Sequence, residues 1–174
     1  MTNEKIKIED EYLISVEFYK IQSIMLKTEN FPWFYSDGID AYQSNDDLYK
    51  FQFTHTFYRD SAPSSDSISI ISPILNLIRP AALSRIKANL LTRTPKIIQN
   101  TFHCDLGGFS EERLSQWTTS IFYMNTNNGY TIFEDGTKVE SVANRMLTFP
   151  SNMKHTGTSC TDEKVRIVIN FNYV

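Results

Sequence analysis

Cysteine is scarce in this chain, long apolar runs are absent, and there is no excess of positive charge. Each shortage removes a class of protein. Two cysteines, Cys104 and Cys160, cannot build the disulfide framework that holds small secreted folds together, so a hydrophobic core must do so, and Cys104 reads as a small packed residue. No segment approaches the roughly 20 apolar residues of a membrane-spanning helix. The opening Met-Thr-Asn-Glu-Lys-Ile-Lys-Ile-Glu-Asp lacks the apolar centre of a secretory signal. A cytoplasmic protein is therefore expected, in the host cytoplasm if the source is viral. With a net charge of −3 there is no broad attraction for nucleic acid or anionic lipid, although Arg79 to Lys96 concentrates basic residues locally. Neither nucleic acid nor a membrane is an expected partner. No repeat or low-complexity tract appears.

What is present is globular. Hydrophobic residues make up 41% and aromatic residues 13%, while charged residues at 21% are too few for disorder along the length. At 174 residues the chain is long enough for one domain with a core and too short for two ordinary ones, so a single domain over 1–174 is expected. Ser15 to Lys27 carries Val16, Phe18, Ile21, Ile24 and Met25 at helical spacing, with Ser15 placed to cap an amphipathic helix. Tyr49 to Tyr58 alternates like a strand, and Asp60 to Ser67 reads as a mobile loop. A helix from about Ile71 to Arg79 stops at Pro80, and a strand from about Ser84 to Leu91 follows. Beyond Gln99, breaks at Gly107-Gly108, Asn127 to Gly129, Asp135-Gly136 and Pro150 to Asn152 cut the chain into short strands, the cadence of an antiparallel sandwich or small barrel.

Two of the three histidines occupy positions suited to a mononuclear iron site. His103 and Asp105 stand two apart, so extended backbone points both side chains to one side and turns Cys104 away. His155 follows about fifty residues later. Two imidazoles and one carboxylate would cover one face of an Fe(II) and leave the other open for substrate and O2. His-x-Asp alone arises by chance in many chains, and its plain alternative is a surface histidine beside a loop aspartate. Arg166 enters the β-prone run Arg-Ile-Val-Ile-Asn-Phe-Asn-Tyr-Val, a predicted central strand, where a guanidinium must either reach solvent or be paired. A ligand carboxylate is a suitable partner, because the planar fork meets it bidentately.

The order His103-x-Asp105, His155, Arg166 resembles the 2-oxoglutarate- and Fe(II)-dependent dioxygenases, in particular their prolyl-4-hydroxylase-like branch. Thr118 to Asn125 resembles the branch's strand ending in Tyr-Leu-Asn, and Asn128-Gly129-Tyr130-Thr131-Ile132-Phe133 stands where it has Gly-Gly-x-Thr-x-Phe. Asn144-Arg145-Met146-Leu147-Thr148-Phe149-Pro150-Ser151 resembles its Gly-Arg-x-Leu-x-Phe-Pro-Ser strand before the distal histidine. The likeness covers roughly residues 85 to 174, and Arg85-Ile86-Lys87-Ala88-Asn89-Leu90 is similar to small members from phages of cyanobacteria.

The resemblance implies a mainly β (α+β) fold, a double-stranded β-helix of the jelly-roll or cupin-like kind, with N-terminal helices packed on one sheet. Residues to about 84 would support a metal-binding β core from about 85 to 174. It implies Fe(II) held by His103, Asp105 and His155, with Arg166 and Tyr123 binding the far carboxylate of 2-oxoglutarate. Asn170, on the same strand face as Arg166, would add a donor to that pocket. The activity implied is hydroxylation of a C–H bond with O2, converting 2-oxoglutarate to succinate and CO2, with ascorbate as a candidate reductant. The acceptor implied is a prolyl or other peptidyl residue, with a free small molecule as the alternative. Phe31 to Asn45, Asp60 to Ser67 and Leu106 to Gln116 are the expected acceptor-covering segments. Two departures stand out. Relatives commonly place a tyrosine about ten residues before His-x-Asp, where this chain has Leu91 or Arg93, and the Gly-Gly-x-Thr motif has lost its first glycine. His55, with no carboxylate at metal-site spacing, is read as a packed or surface histidine. The rival readings are a β-helix that binds metal or ligand without turnover, and a phage structural or interaction protein.

Overall fold

The computed structural model describes residues 5–27, 29–39 and 48–174. In chain order these form β1 (Lys7–Glu9), α1 (Ser15–Lys27), β2 (Phe34–Ser36), β3 (Gln52–Arg59), β4 (Ala62–Pro63), a 3-10 helix (Asp66–Ile71), α2 (Ser72–Ile78) and β5 (Leu83–Thr92). There follow α3 (Glu111–Ser115), β6 (Thr118–Tyr123), β7 (Tyr130–Phe133), β8 (Lys138–Glu140), β9 (Arg145–Pro150), β10 (His155–Gly157) and β11 (Val165–Tyr173). Eight strands make one antiparallel sheet in the order β1-β9-β6-β11-β5-β3-β2, with β4 attached to β3, and β10-β7-β8 make a smaller sheet. No described helix is long and apolar enough to cross a membrane.

The two-residue period of the strands decides what lies on each side of the large sheet. On β11, Ile167, Ile169 and Phe171 point outward, as do Ile86 and Ala88 on β5. They join Phe18, Ile21 and Met25 of α1 and Ile71 and Ile74 beside α2 in one buried cluster. Burying each such side chain is worth about 1.5–3 kcal/mol, so the helices are held by this face. Within α1 the buried positions are Phe18, Ile21 and Met25, whereas Val16 is 71% exposed and falls outside the stripe expected of it. Ser15 stands inside the first turn, whose amides bond to the Ile14 carbonyl. The inward face packs Ile121, Tyr123, Leu147 and Val168 against Phe133, Val139 and Phe149 in a second cluster between the sheets. The architecture is a double-stranded β-helix with its helices on the large sheet.

β11 is central, with β5 on one side and β6 on the other, as its apolar run predicts. The N-terminal strands extend this sheet at both edges, β1 beside β9 and β3 beside β5. The segment Asp60 to Ser67, expected to be a mobile loop, is ordered. Asp60 and Ser61 both take positive φ, 53° and 63°, and turn β3 directly into β4. Ser65 then caps the 3-10 helix by accepting from the Ser67 amide at 3.0 Å. A two-residue turn of this hand is usually marked by Asn-Gly or Asp-Gly, and Asp-Ser lacks that signature. Asn144 also has positive φ, at a position where the resembling strand has glycine. Its side chain bonds both the amide and the carbonyl of Leu13, at 2.9 and 2.8 Å.

Candidate metal centre

His103 and His155 face each other through an antiparallel bridge, each amide bonding the other's carbonyl at 3.0 and 3.1 Å. The bridge is what brings a strand-like segment before α3 against β10. Their rings lie 5.4 Å apart between centroids, and ligand atoms of His103, His155 and Asp105 all fall within 4.8 Å of one another. His103 Nδ1 donates to the Thr101 carbonyl at 2.9 Å, and His155 Nδ1 donates to that of Met153 at 3.1 Å. Because a carbonyl only accepts, both Nδ1 atoms carry a proton, and Nε2 is on each ring the nitrogen that could ligate a metal. Sequence alone left these two orienting carbonyls unidentified. Burial pushes the His155 pKa down, with the opposing pull of Asp105 second, which keeps the imidazole in its ligating neutral form.

Asp105 is almost fully enclosed. One oxygen accepts from Asn170 Nδ2 at 3.3 Å and Asn172 Nδ2 at 3.1 Å, and the other pairs with Arg85 at 3.0 Å and lies 3.7 Å from His103 Nε2. Burial opposes its ionisation, but Arg85 and the two histidines outweigh that and hold the carboxyl well below the usual carboxylate range. Asn170, expected to face the cosubstrate with Arg166, does lie on the inward face of β11, but its amide N–H is given to Asp105. It supports Asp105, the candidate metal ligand, because three residues of strand, 167–169, separate it from Arg166.

These groups open onto a cavity of about 620 Å³ that also reaches Arg166, Thr131, Leu91 and Lys87. Arg166 is 3% exposed and sits where Gly129 and Gly157 leave room for it. A Cβ on Gly129 would stand 2.7 Å from its Cδ, and one on Gly157 would stand 3.2 Å from its Nη1. The glycine that survives in the altered Gly-Gly-x-Thr motif is thus the one that touches the arginine. Arg166 Nε donates to Ser141 Oγ at 2.8 Å and Nη2 to Thr131 Oγ1 at 3.3 Å, and among the described residues no acidic side chain pairs with it. A buried guanidinium without an anion is the arrangement that a ligand carboxylate completes.

Tyr123, expected to bond the cosubstrate, instead donates to Thr131 Oγ1 at 2.8 Å, does not line the cavity, and lies under Arg166 at 5.7 Å. Thr131 accepts from both neighbours and lines the cavity, so its own O–H is a candidate donor to a ligand there. Sequence reasoning missed Thr131, Ser141, Arg85 and Lys87 as site residues. The signal for the last two was the alternation Arg85-x-Lys87-x-Asn89, polar groups on the inward period of a central strand. Of the two residues at the position of the absent tyrosine, Leu91 pairs with Arg166 and lines the cavity, and Arg93 lies beyond β5 and is exposed.

His55 is buried on the other side of the large sheet. Its ring nitrogens meet the Pro32 carbonyl at 2.8 Å and Ser65 Oγ at 3.0 Å, and Phe31 and Phe57 pack on its ring. Of the expected covering segments, Phe31 and Trp33 pack together in the outer core, Ile39 reaches the cavity, and residues 40–45 lie outside the described residues. Leu106 and Gly107 line the cavity, and the rest of that segment includes α3, capped by Ser110.

No family model and no curated protein matches the chain. Solved structures do. A prolyl hydroxylase from Trichoplax adhaerens, in complex with a hypoxia inducible factor oxygen degradation domain peptide, superposes with TM-score 0.65 at 15% identity, covering 98% of this chain and 84% of that one. An oxidoreductase of the 2OG-Fe(II) oxygenase family from Burkholderia pseudomallei gives 0.66 at 11% identity, covering 97% and 85%. HygX from Streptomyces hygroscopicus, with nickel, 2-oxoglutarate and hygromycin B bound, gives 0.60 at 11%, covering 97% and 82%. The chain shares their fold.

Proposed function

We propose that this protein is an Fe(II)- and 2-oxoglutarate-dependent dioxygenase that hydroxylates a C–H bond. In the balanced reaction, the acceptor R–H, O2 and 2-oxoglutarate give R–OH, succinate and CO2. The carrying observation is the placement in one cavity of three side chains that could ligate a metal and a buried arginine with no acidic partner among the described residues. His103, Asp105 and His155 would hold the iron, which when bound supplies the oxygen chemistry that no side chain can. The donor set fits: two imidazoles with their outer nitrogens tied back, and one carboxylate held ionised.

The protein's own part is positioning. Arg166 binds the far carboxylate of 2-oxoglutarate with Thr131 as a second donor, and Tyr123 and Ser141 fix those two. Val168 and Leu91 line the same cavity with apolar surface and keep it dry. Residues 1–174 would act as one unit in a reducing compartment such as the cytoplasm, with ascorbate as a reductant. The proteins sharing the fold were solved with a peptide in one case and hygromycin B in another, so both peptidyl and small acceptors suit the scaffold.

A second reading draws on the Arg85–Asp105 pair. The arginine already neutralises the carboxylate, as in a β-helix that binds an anionic ligand without metal. Anaerobic titration with Fe(II) and then 2-oxoglutarate, followed by admission of O2 and assay of succinate, decides between them. Saturable binding of both with succinate formation supports the dioxygenase. Binding of 2-oxoglutarate that is indifferent to metal supports the second reading.

A further inference from the structure

Along the inward face of β5, Arg85, Lys87 and Asn89 recur at the two-residue period, opposite Asn172, Asn170 and Val168 of β11. Arg85 is tied to Asp105 and Asn172. Lys87 is not tied. It is half-buried in the cavity wall, and its ammonium has no hydrogen-bond or ion-pair partner among the described residues.

Directly across the strand boundary, Asn170 gives its N–H to Asp105, which fixes the amide's orientation because an ionised carboxylate only accepts. Its Oδ1 is then buried without a partner among the described residues, in a residue only 9% exposed. Such an orphaned acceptor costs about 1–3 kcal/mol until something donates to it. An unpartnered cation and an unpartnered acceptor therefore stand at adjacent, opposed positions, between the Asp105 end of the cavity and the Arg166 end.

The charge of the cavity points the same way. Among the described residues four cationic side chains, Arg85, Lys87, Lys154 and Arg166, line it with one carboxylate, that of Asp105, in a chain whose net charge is −3. A divalent metal adds to the excess. Dianionic 2-oxoglutarate on Arg166 and the metal offsets part of it and leaves Lys87 uncompensated in a poorly solvated space, which favours a further anion.

Resting on the dioxygenase reading above, we infer that the acceptor is a small acid whose terminal carboxylate is bound by Lys87 while an N–H or O–H on the adjacent carbon donates to Asn170 Oδ1. Amino and hydroxy acids have this chemistry, as does the C-terminal residue of a peptide. A mid-chain prolyl residue does not. Because Asn170 also bonds Asp105, a molecule held by this pair lies beside the metal ligands.

The test is anaerobic calorimetry on protein loaded with Mn(II) and 2-oxoglutarate, titrated with the twenty free L-amino acids and L-lactate. Any acid that binds is compared with its carboxamide and with the glycyl dipeptide ending in the same residue. At least one acid should bind, at least tenfold more tightly than its carboxamide. Lys87→Met should weaken that acid at least tenfold and leave the carboxamide unchanged, and Lys87→Arg should recover most of the affinity. Retention of the dipeptide assigns a chain terminus, and its rejection assigns the free acid. Equal binding of acid and carboxamide, an acid affinity untouched in Lys87→Met, or no binder in protein that does take up Mn(II) and 2-oxoglutarate would overturn the inference alone. Wild-type protein that takes up neither would remove both the inference and the reading beneath it. The acid-against-carboxamide comparison needs no variant, so it stands even if Lys87→Met fails to fold.

Discussion

Arg85 and Asp105 form an ion pair at 3.0 Å through the carboxylate oxygen that lies nearest the Nε2 of His103. A metal on the two histidines must share that oxygen with a guanidinium or displace it. Arg85 thereby acts in opposite directions on two properties. It stabilises the metal-free protein by neutralising a buried carboxylate, and it repels a divalent cation arriving beside it.

Replacement of Arg85 by Met should therefore lower the stability of the metal-free protein, by about 3–5 kcal/mol as for one broken half of a buried pair. The same change should raise affinity for Mn(II), on the order of tenfold. Thermal melts with and without the metal, together with calorimetry, measure both. Loss of metal binding in Arg85→Met would show instead that the arginine orients Asp105 as a ligand.

The ligand set makes a sharper separation. His103→Ala, Asp105→Ala and His155→Ala should each abolish measurable Fe(II) or Mn(II) uptake, because two donors do not hold a metal that requires three. His55→Ala should melt earlier, since it removes a ring packed between Phe31 and Phe57, yet keep the metal affinity of the parent. Electron paramagnetic resonance of added Mn(II) reads binding directly. A His55 variant that loses metal, beside a His155 variant that retains it, contradicts the placement of the centre.

Arg166 and its surroundings should control 2-oxoglutarate without controlling the metal. Truncation of Arg166 should weaken 2-oxoglutarate by about 2–5 kcal/mol, as loss of a desolvated charge-assisted contact. Tyr123→Phe should cost about 0.5–1.5 kcal/mol, acting through Thr131, which loses one of its two donors. Gly129→Ala places a methyl 2.7 Å from Arg166 Cδ and 2.8 Å from the Ser159 carbonyl, so the guanidinium must shift. Its 2-oxoglutarate affinity should fall toward that of the Arg166 variant, with Mn(II) affinity retained. Equal 2-oxoglutarate affinity across these proteins would remove the reason for naming this cosubstrate.

The parts of this molecule visible in its sequence are those that repeat a period or punctuate one. Helix α1 spans Ser15–Lys27 as its spacing predicts, and β11 is central because its run alternates between two buried faces. His103 and His155 were legible as a pair, but the cross-chain bridge that sets them ring to ring was not, since pairing partners distant in sequence leave no local trace. Asn170 shows the limit most clearly. Strand period placed it on the right face, while the group it serves, Asp105, comes from a separate segment that only folding brings near. The ordering of Asp60 to Ser67 was hidden for a different reason, because its positive φ angles fall on Asp and Ser with no glycine to announce them.

Acid should weaken the fold through His55. Burial lowers its pKa below the ordinary 6.5, with the hydrogen bond to the Pro32 carbonyl only partly opposing the shift. Between that lowered value and 6.5 the unfolded chain binds a proton that the folded chain does not, so stability rises with pH across this window. Above about pH 6.5 both states are neutral at this site and the contribution is complete. As pH falls below it, stability is lost progressively until the folded-state pKa is passed. His155 is also shifted down, so the measurement belongs on protein with Mn(II) added, where a metal on the proposed ligands would occupy that imidazole. Urea midpoints between pH 7 and pH 5 should decline in the parent and decline less in His55→Gln, which keeps a polar side chain there but cannot titrate. A His55→Gln slope as steep as the parent's would show that His55 is not the group responsible for the acid sensitivity in this window.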